Sequence, residues 1–376
     1  MRHWRVAGKS NKPISSPTTA PKANKTAAPA RRIEPRKVVG LKALAAHLSL
    51  SQTTVSVVLN ESPVADSIPQ DTKDRIFEAA RELGYRPNFL ARSLRKQRTF
   101  TVGVLVNQIG DGYPSKILLG IEECLSAAGY FYFVVSHRHR PERLIRYPQL
   151  LMERSVEGLI FIDTTFNDVL PLPSVAVSGH QNVENVTNVV LDHRKAVELA
   201  LGHLKSLGHR RIAFMRGQPF SSDSEERWET ICRVGAEMNI EIHPELTLRL
   251  EDDVSTPAVS YPVMQRFLAA RPCFTALFAY NDISAIGAIR ALADQGIRVP
   301  HDISVVGFDD IDAAEFHTPS LTTVRQPLFK MGEIAAQTLL ERLGSANRDY
   351  VRTIAIEPEL VVRESTAIAR RALEKL

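Results

Sequence analysis

The chain has 376 residues, of which 44% are hydrophobic and 24% charged, ordinary proportions for a globular protein of two or three folding units. No run of 18 apolar residues occurs, so no transmembrane helix is expected, and the N-terminus lacks the apolar core of a signal peptide, which makes the cytoplasm the simplest location. The three cysteines, Cys124, Cys232 and Cys273, lie far apart without a CxxC pair, so they signal neither a disulfide framework nor a zinc site and are expected to be small buried residues in a reducing compartment.

The net charge of +5 conceals an asymmetry. Residues 1–37 carry ten Lys/Arg against one Glu, for +9, and residues 38–98 carry nine Lys/Arg against six Asp/Glu, for +3. The remainder carries 28 basic and 35 acidic residues, for −7. A basic front on an acidic body fits a chain whose front alone meets a polyanion. A solvated basic tail is the plainer alternative for residues 1–37. That tail is punctuated by Pro13, Pro17, Pro21, Pro29 and Pro35 and has few large apolar side chains, so it is expected to be disordered.

From Val39 the pattern changes. Leu41, Leu44, Ala45 and Leu48 fall on one face of a helix. Ser49-Leu50-Ser51 breaks it, and Ser51 stands as the N-cap of a second helix, Gln52–Asn60, with Val55, Val58 and Leu59 inward. A third helix is predicted from about Gln70 to Leu83, burying Ile76, Phe77, Ala80 and Leu83 and stopping at Gly84. Two short helices joined by a tight turn, with a third behind them, make a helix-turn-helix domain over residues 38–86. Residues 87–98 follow as a linker. Asn88 can cap a short helix in which Leu90 and Leu94 share a face and Arg92, Arg95 and Lys96 supply charge. Eight residues make a marginal helix alone, so it is expected to order on DNA or a partner.

Beyond Thr99 strands and helices alternate. Apolar runs at Val102–Val106, Phe131–Val135, Gly158–Ile162, Ser174–Val177, Ile212–Met215, Ala276–Ala279 and Ile303–Gly307 predict strands. Amphipathic segments such as Ser115–Ala128, Lys195–Leu207 and Ile283–Gln295 predict helices between them. Continuous apolar strands alternating with helices indicate parallel sheets covered on both faces. About 270 residues is large for one such sheet, so two subdomains with a cleft are expected.

The chain resembles the LacI/GalR family of repressors from Val39 to about Thr366. The likeness rests on Leu48-Ser49-Leu50-Ser51-Gln52-Thr53-Thr54-Val55-Ser56 with Val58-Leu59-Asn60, and on Glu82-Leu83-Gly84-Tyr85-Arg86-Pro87-Asn88 with Ala91-Arg92-Ser93-Leu94. It continues through Gly208-His209-Arg210-Arg211-Ile212-Ala213-Phe214, Asn281-Asp282-Ile283-Ser284-Ala285 and Val299-Pro300-His301-Asp302-Ile303-Ser304-Val305-Val306-Gly307-Phe308-Asp309-Asp310. Pro319-Ser320-Leu321-Thr322-Thr323-Val324 and Pro358-Glu359-Leu360-Val361 complete the series. Each is weak alone and specific in order. The resemblance implies an N-terminal all-α helix-turn-helix domain plus an α/β periplasmic-binding-protein-like core of two parallel-sheet subdomains over residues 99–366. The chain is expected to cross between these subdomains near Leu191, Arg325 and Glu357 and to end in a tail, 367–376. The resemblance further implies a homodimer on a pseudo-palindromic double-stranded DNA operator, associated with the nucleoid. A small-molecule effector, a sugar, sugar derivative or purine-like compound, is implied in the cleft, with no cofactor and no metal.

A recognition helix presents its N-terminal side chains to base edges in the major groove. Ser51, Gln52, Thr53, Ser56, Val57 and Asn60 are the candidate DNA-contacting residues of this helix, joined by Asn88, Arg92 and Leu94 of the hinge. Gln52 can pair bidentately with adenine and Thr53 can touch a thymine methyl. The family often has an arginine at the place of Val57, where it contacts guanine, and usually a glycine at the place of Ser49. The loop from Glu61 to Pro69 is longer than in close relatives. Leu94 matches the apolar side chain that the family wedges into the minor groove; packing on Leu90 is the alternative.

Candidate effector contacts lie beyond the carboxyl ends of the strands. Tyr113, after Asp111-Gly112, matches an aromatic that stacks on effectors in the family, and Arg227 matches an arginine that grips polar groups. Ser221 and Asp223 are placed in the loop after Ile212–Met215, and Asn281, Asp282 and Asp309 at the ends of two later strands. Carboxylates and amides suit paired hydroxyls or ring nitrogens. Asp282 can instead cap the helix that starts at Ile283. The glycine usual three residues after the family arginine is Thr230 here. A transport protein of the same core would need an export signal and no helix-turn-helix, and no nucleophile elbow, P-loop or metal cluster marks an enzyme.

Overall fold

The computed structural model describes residues 39–60, 62–85, 93, 97–110, 112–166, 169–180, 182–218, 221–251, 256–344 and 349–370. The tail 1–37, the hinge residues Asn88, Arg92 and Leu94, and Asp111 lie outside the described residues. The chain divides into two compact units, one ending at Asn88 and one beginning at Phe89.

In the first unit, α1 (Leu41–Leu48) turns Leu44, Ala45 and Leu48 inward, as the spacing predicts. It stops at Ser49, which takes the left-handed conformation at φ 54° that glycine adopts most readily. Ser51 caps α2 (Gln52–Leu59): its Oγ accepts the Thr54 N–H at 3.0 Å. A tight helical turn at Pro63–Ser67 tucks Ala65 into the core. Then α3 (Gln70–Glu82) runs to Gly84, whose φ of +61° ends it. Leu44, Val55 and Ile76 are fully buried together, each contributing about 1.5–3 kcal/mol over exposure. One expectation fails: Phe77 is 38% exposed and Ala79 is buried instead, because a helix turns about 100° per residue and Ile76 already faces the core. Ala80 and Leu83 are half-buried.

The second unit is built on two six-stranded sheets. The first has the order β11–β5–β4–β3–β1–β2, with β1 (Thr101–Val106), β2 (Phe131–Ser136), β3 (Gly158–Ile162), β4 (Ser174–Val177), β5 (Val186–Leu191) and β11 (Thr353–Ile356) all parallel. The second has the order β12–β10–β9–β8–β6–β7, with β6 (Ile212–Arg216), β7 (Thr247–Arg249), β8 (Ala276–Phe278), β9 (Ser304–Asp309) and β10 (Thr322–Arg325) parallel and β12 (Glu359–Val361) antiparallel at the edge. Alternate residues of each strand feed separate cores. Val102, Val104 and Val106 pack on one face of the first sheet and Leu105 on the other, and Ala213 and Phe214 divide the second sheet likewise.

Helices cover both faces: α4 (Tyr113–Ala127), α5 (Pro141–Glu153), α6 (His193–Ser206), α7 (Ser222–Glu237), α8 (Pro257–Ala269), α9 (Asp282–Asp294), α10 (Asp312–Phe316) and α11 (Leu328–Gly344). Helices α4 and α11 meet through glycines. A Cβ on Gly120 would stand 2.0 Å from the Phe329 carbonyl oxygen, and one on Gly332 2.1 Å from that of Ile117. The chain leaves the first sheet after Leu191, returns to it after Arg325, and leaves again between Ile356 and Glu359. Residues up to Ala369 remain tied to the second subdomain, since Ala367 N–H bonds Ser304 Oγ and Ala369 N–H bonds the Leu207 carbonyl.

The cysteines depart from expectation. Cys232 and Cys273 are exposed and Cys124 is half-buried, and all three are free thiols. Cys232 falls on the outer face of α7, next to the buried Ile231. Among the described residues no helix is long and apolar enough to cross a membrane.

Candidate functional site

In the first unit α2 is two-faced. Val55 and Val58 are buried, while Ser51, Gln52, Thr53 and Asn60 are exposed. Ser51 Oγ is engaged in the cap and shares a second hydrogen bond with Thr54 Oγ1 at 2.8 Å. Asn60 turns its amide back on its own helix, donating to the Ser56 carbonyl at 2.6 Å. Val57 is half-buried and touches the helical core. Gln52 and Thr53 are therefore the polar side chains that the helix holds furthest outward at its N-terminal end.

In the second unit the carboxyl ends of both sheets converge on a cavity of about 90 Å³. Asn107 follows β1, Asp163 follows β3, Ser221 caps α7, Tyr280 and Asn281 follow β8, and Asp309 ends β9; Tyr113 and Arg227 reach in from α4 and α7. Ligand pockets commonly measure about 300–1,000 Å³, so the cleft is drawn shut on its own side chains. Non-glycine residues with positive φ at this end include Asp163 at 42°, Ser178 at 55°, Asp309 at 108° and Asp310 at 55°. Such conformations cost of order 1–3 kcal/mol each and gather at ligand sites.

A buried ion network fills the cleft. Arg227, 4% exposed, donates to the Asp223 carboxylate and, at 2.6 Å, to the Tyr280 carbonyl. Its guanidinium lies 3.6 Å from the Phe308 ring centroid and 4.9 Å from that of Tyr280. Nε2 of His193 and of His180 stand 2.9 and 3.1 Å from the other Asp223 oxygen, donating when protonated. Burial would raise the Asp223 carboxyl, but Arg227, His193 and His180 outweigh it and hold it well below the usual range. Asp163 and Asp309 are held by neutral donors instead. Asp163 accepts from Ser221 Oγ at 3.0 Å, and burial together with the Asp223 charge lifts it to about 6. Asp309 accepts from Gln326 Nε2 at 2.6 Å, and burial pushes it well up. Tyr113 donates to or accepts from Ser178, and burial raises its hydroxyl well above the ordinary value. Asn107 Oδ1, Arg227 Nε and Gln326 Oε1 are buried without a partner among the described residues.

Two expectations need correction. Asp282 does not line the cavity and does not cap its helix. Asn281 is the cap of α9, bonding Ser284 N–H at 2.9 Å, while Asp282 points into the sheet and accepts from Thr323 Oγ1 and, at 2.9 Å, from Ile311 N–H. Ser221 and Asp223 belong to the cap and first turn of α7, not to a loop. Arg227 Nη1 and Nη2 are engaged by the Tyr280 carbonyl and Asp223, which leaves Nε, buried without a partner among the described residues, as its atom open to a ligand. Asp163, Ser178, His180, His193 and Tyr280 escaped the sequence reading. Asp163 and Tyr280 are the first polar residues after the apolar runs Leu159–Ile162 and Ala276–Ala279, and that position is itself the signal. His193 follows β5, which the polar Asn188 in mid-strand concealed.

Among the described residues, His180, His193 and Asp223 bring possible metal-ligand atoms within 4.8 Å of one another. The Arg227 guanidinium on the same carboxylate opposes a cation there.

A helix-turn-helix unit in one chain with a two-sheet ligand cleft defines a ligand-responsive DNA-binding regulator. Residues 42–88 match the family described as bacterial regulatory proteins, lacI family, and residues 201–366 match the periplasmic binding protein-like domain. The HTH-type transcriptional repressor PurR of Haemophilus influenzae is 32% identical over 337 residues, covering 86% of this chain and 98% of the relative. PurR of Aliivibrio fischeri is 32% identical over 337 residues, covering 86% and 97%. Among solved structures, the regulator CelR in complex with cellobiose has a TM-score of 0.65 at 28% identity, covering 87% of this chain and 99% of that one. The lac repressor dimer bound to operator and the anti-inducer ONPF has a TM-score of 0.77 at 24% identity, covering 88% and 100%, a likeness of fold. The chain belongs to the lacI family of bacterial regulatory proteins. It is a DNA-binding transcriptional regulator controlled by a small-molecule effector, and not an enzyme.

Proposed function

We propose that two copies of this chain repress transcription from a pseudo-palindromic operator in the bacterial cytoplasm, on nucleoid DNA. Gln52 and Thr53 read base edges, with Ser56 and Val57 beside them, while Ser51 and Asn60 hold the ends of the reading helix. Asn88, Arg92 and Leu94 of the hinge meet the operator centre. The effector enters the cleft among Tyr113, Ser221, Asp223, Arg227, Asn281 and Asp309, and changes how the subdomains close. The observation that carries this reading is the convergence of strand ends from both sheets on one cavity with a buried Asp223–Arg227 pair. A ligand there contacts both halves at once and so biases their arrangement.

Footprinting on a library of genomic fragments tests the proposal. Two symmetric protected half-sites are expected, spaced by whole turns of about 10–10.5 base pairs. Protection of a single asymmetric half-site by a monomer would overturn it. Deleting residues 1–37 is expected to flatten the dependence of affinity on salt, because ten basic side chains release counterions from phosphates.

A further inference from the structure

Three carboxyl groups, Asp163, Asp223 and Asp309, line the cleft. Asp223 is met by Arg227, His180 and His193, whereas Asp163 and Asp309 have no ion pair among the described residues. Arg227 is already engaged by Asp223, the Tyr280 carbonyl and the Phe308 ring. An incoming anion would find the Arg227 charge taken and would lie beside the Asp163 carboxyl. Asp163 and Asp309 each receive one neutral donor, from Ser221 and Gln326, and keep lone pairs for more. Asn107 Oδ1, on the same wall, has no donor among the described residues, while Arg227 Nε is the wall's unmet donor. The aromatic rings of Tyr113 and Tyr280 belong to the same lining. Aromatic faces beside carboxylates favour a cation, the more so when water is excluded.

We infer that the effector is a compact polyhydroxylated ligand carrying a basic nitrogen, an amino sugar or aminated cyclitol in chemical class, with no carboxylate or phosphate. This rests on the cleft being the effector site. The ligand's hydroxyls supply donors to Asp309 and Asn107, and one hydroxyl oxygen accepts from Arg227 Nε. Its ammonium pairs with Asp163. Of the two carboxyls without an ion pair, Asp163 is lifted by burial to about 6 and Asp309 well above its ordinary value, so Asp163 is the readier to carry charge. An ammonium at Asp163 offsets the burial that raises its carboxyl.

The test uses the full chain and three series in which one skeleton carries a hydroxyl, an amine or an acid: glucose, glucosamine and glucuronate, then the galactose and mannose counterparts. Melting shifts and titration calorimetry report binding. In at least one series the amine is expected to bind about tenfold tighter than its hydroxyl parent, and the acids not at all. In Asp163→Asn that advantage is expected to fall below about threefold, with the unliganded melt confirming that the variant folds. The inference is overturned if an acid binds as tightly as its amine, if parent and amine are equal, if the advantage survives Asp163→Asn, or if none of the nine binds. Operator binding is measured alongside. An acid that fills the cleft and changes operator affinity removes the cationic class but leaves the regulator in place, whereas a chain that binds no operator removes the regulator reading itself.

Discussion

His180 and Asp223 join the two sheets of the second unit. His180 follows β4 of the first sheet, Asp223 stands in the first turn of α7 on the second, and their side chains are 3.1 Å apart. Ser221 and Asp163 make a second, part-buried tie at 3.0 Å. Lys116 and Asp312 make a third at 2.7 Å, but Asp312 is 83% exposed. An exposed pair is worth about 0–1 kcal/mol and is screened by salt. Closure of the cleft therefore rests chiefly on the two more sheltered ties, and a ligand entering must replace them with contacts of its own.

The tie at His180 makes closure pH-dependent. Burial pulls the imidazole down, but the hydrogen bond and charge of Asp223 outweigh it, Glu226 adds to the rise and Arg227 opposes it, and the net shift is upward. A pKa raised on closing means that the closed form prefers protonated His180. Its contribution is complete below the open-form value of about 6.5 and is lost as pH climbs through the raised value. Fluorophores placed on the two subdomains are expected to move apart as pH rises above about 6.5 in the wild type and far less in His180→Gln. An identical pH response in both proteins would assign the titration to another group.

Asp282 supports the fold and not the ligand. Burial raises its carboxyl to about 7 against the donors of Thr323 and Ile311. Replacing it with alanine strips both donors of their acceptor in a fully buried place. Asp282→Ala is expected to destabilise the second unit by about 2–4 kcal/mol in urea unfolding, while the remaining folded protein binds effector as tightly as wild type. Weakened effector binding without lost stability would return Asp282 to the cleft.

The sequence made the scaffold legible because its period was strong. Val102–Val106 and Gly158–Ile162 could hardly be anything but buried strands, and Ser51 before Gln52 announced a helix start that the structure repeats in a 3.0 Å cap. The edge and crossing strands were not legible: Thr247–Arg249, Thr322–Arg325, Thr353–Ile356 and Glu359–Val361 are three or four residues long and carry mixed polarity. The site was half legible. Motifs placed Tyr113, Asp223, Arg227 and Asp309 on the cavity wall, but they could not reveal that Arg227 is internally paired. That pairing joins residues four apart on one helix to carbonyl and ring partners more than 50 residues away.

The glycine contact between α4 and α11 makes an unforgiving position. A Cβ at Gly332 meets a backbone carbonyl oxygen at 2.1 Å, which no side-chain rotation relieves, so the helices must part. Gly332→Ala is expected to cost about 1–3 kcal/mol or more. Gly202 in α6 is the control: its Cβ would meet only Met238 Cε at 3.8 Å, ordinary contact. There alanine gains helix propensity, and Gly202→Ala is expected to stabilise by roughly 0.5–1 kcal/mol. Thermal unfolding of the two variants reads the difference, and shifts of the same sign would refute the packing argument.

The last prediction concerns what the reading helix can distinguish. Val57 lies in the second turn of α2, half-buried against the helical core, and its side chain offers a base no hydrogen bond. Contact there is limited to apolar surface such as a thymine methyl. Val57→Arg supplies two donors that fit guanine O6 and N7, worth about 1–3 kcal/mol of discrimination. The arginine stem can cover the apolar surface that Val57 covers now, so the change is expected to alter stability by less than about 1 kcal/mol. Selection from randomised operators with both proteins is the measurement. The variant should gain guanine at one position of each half-site, symmetrically, while positions read by Gln52 and Thr53 stay as they were. An unchanged consensus with unchanged affinity would mean that Val57 faces the helical core alone and not the groove.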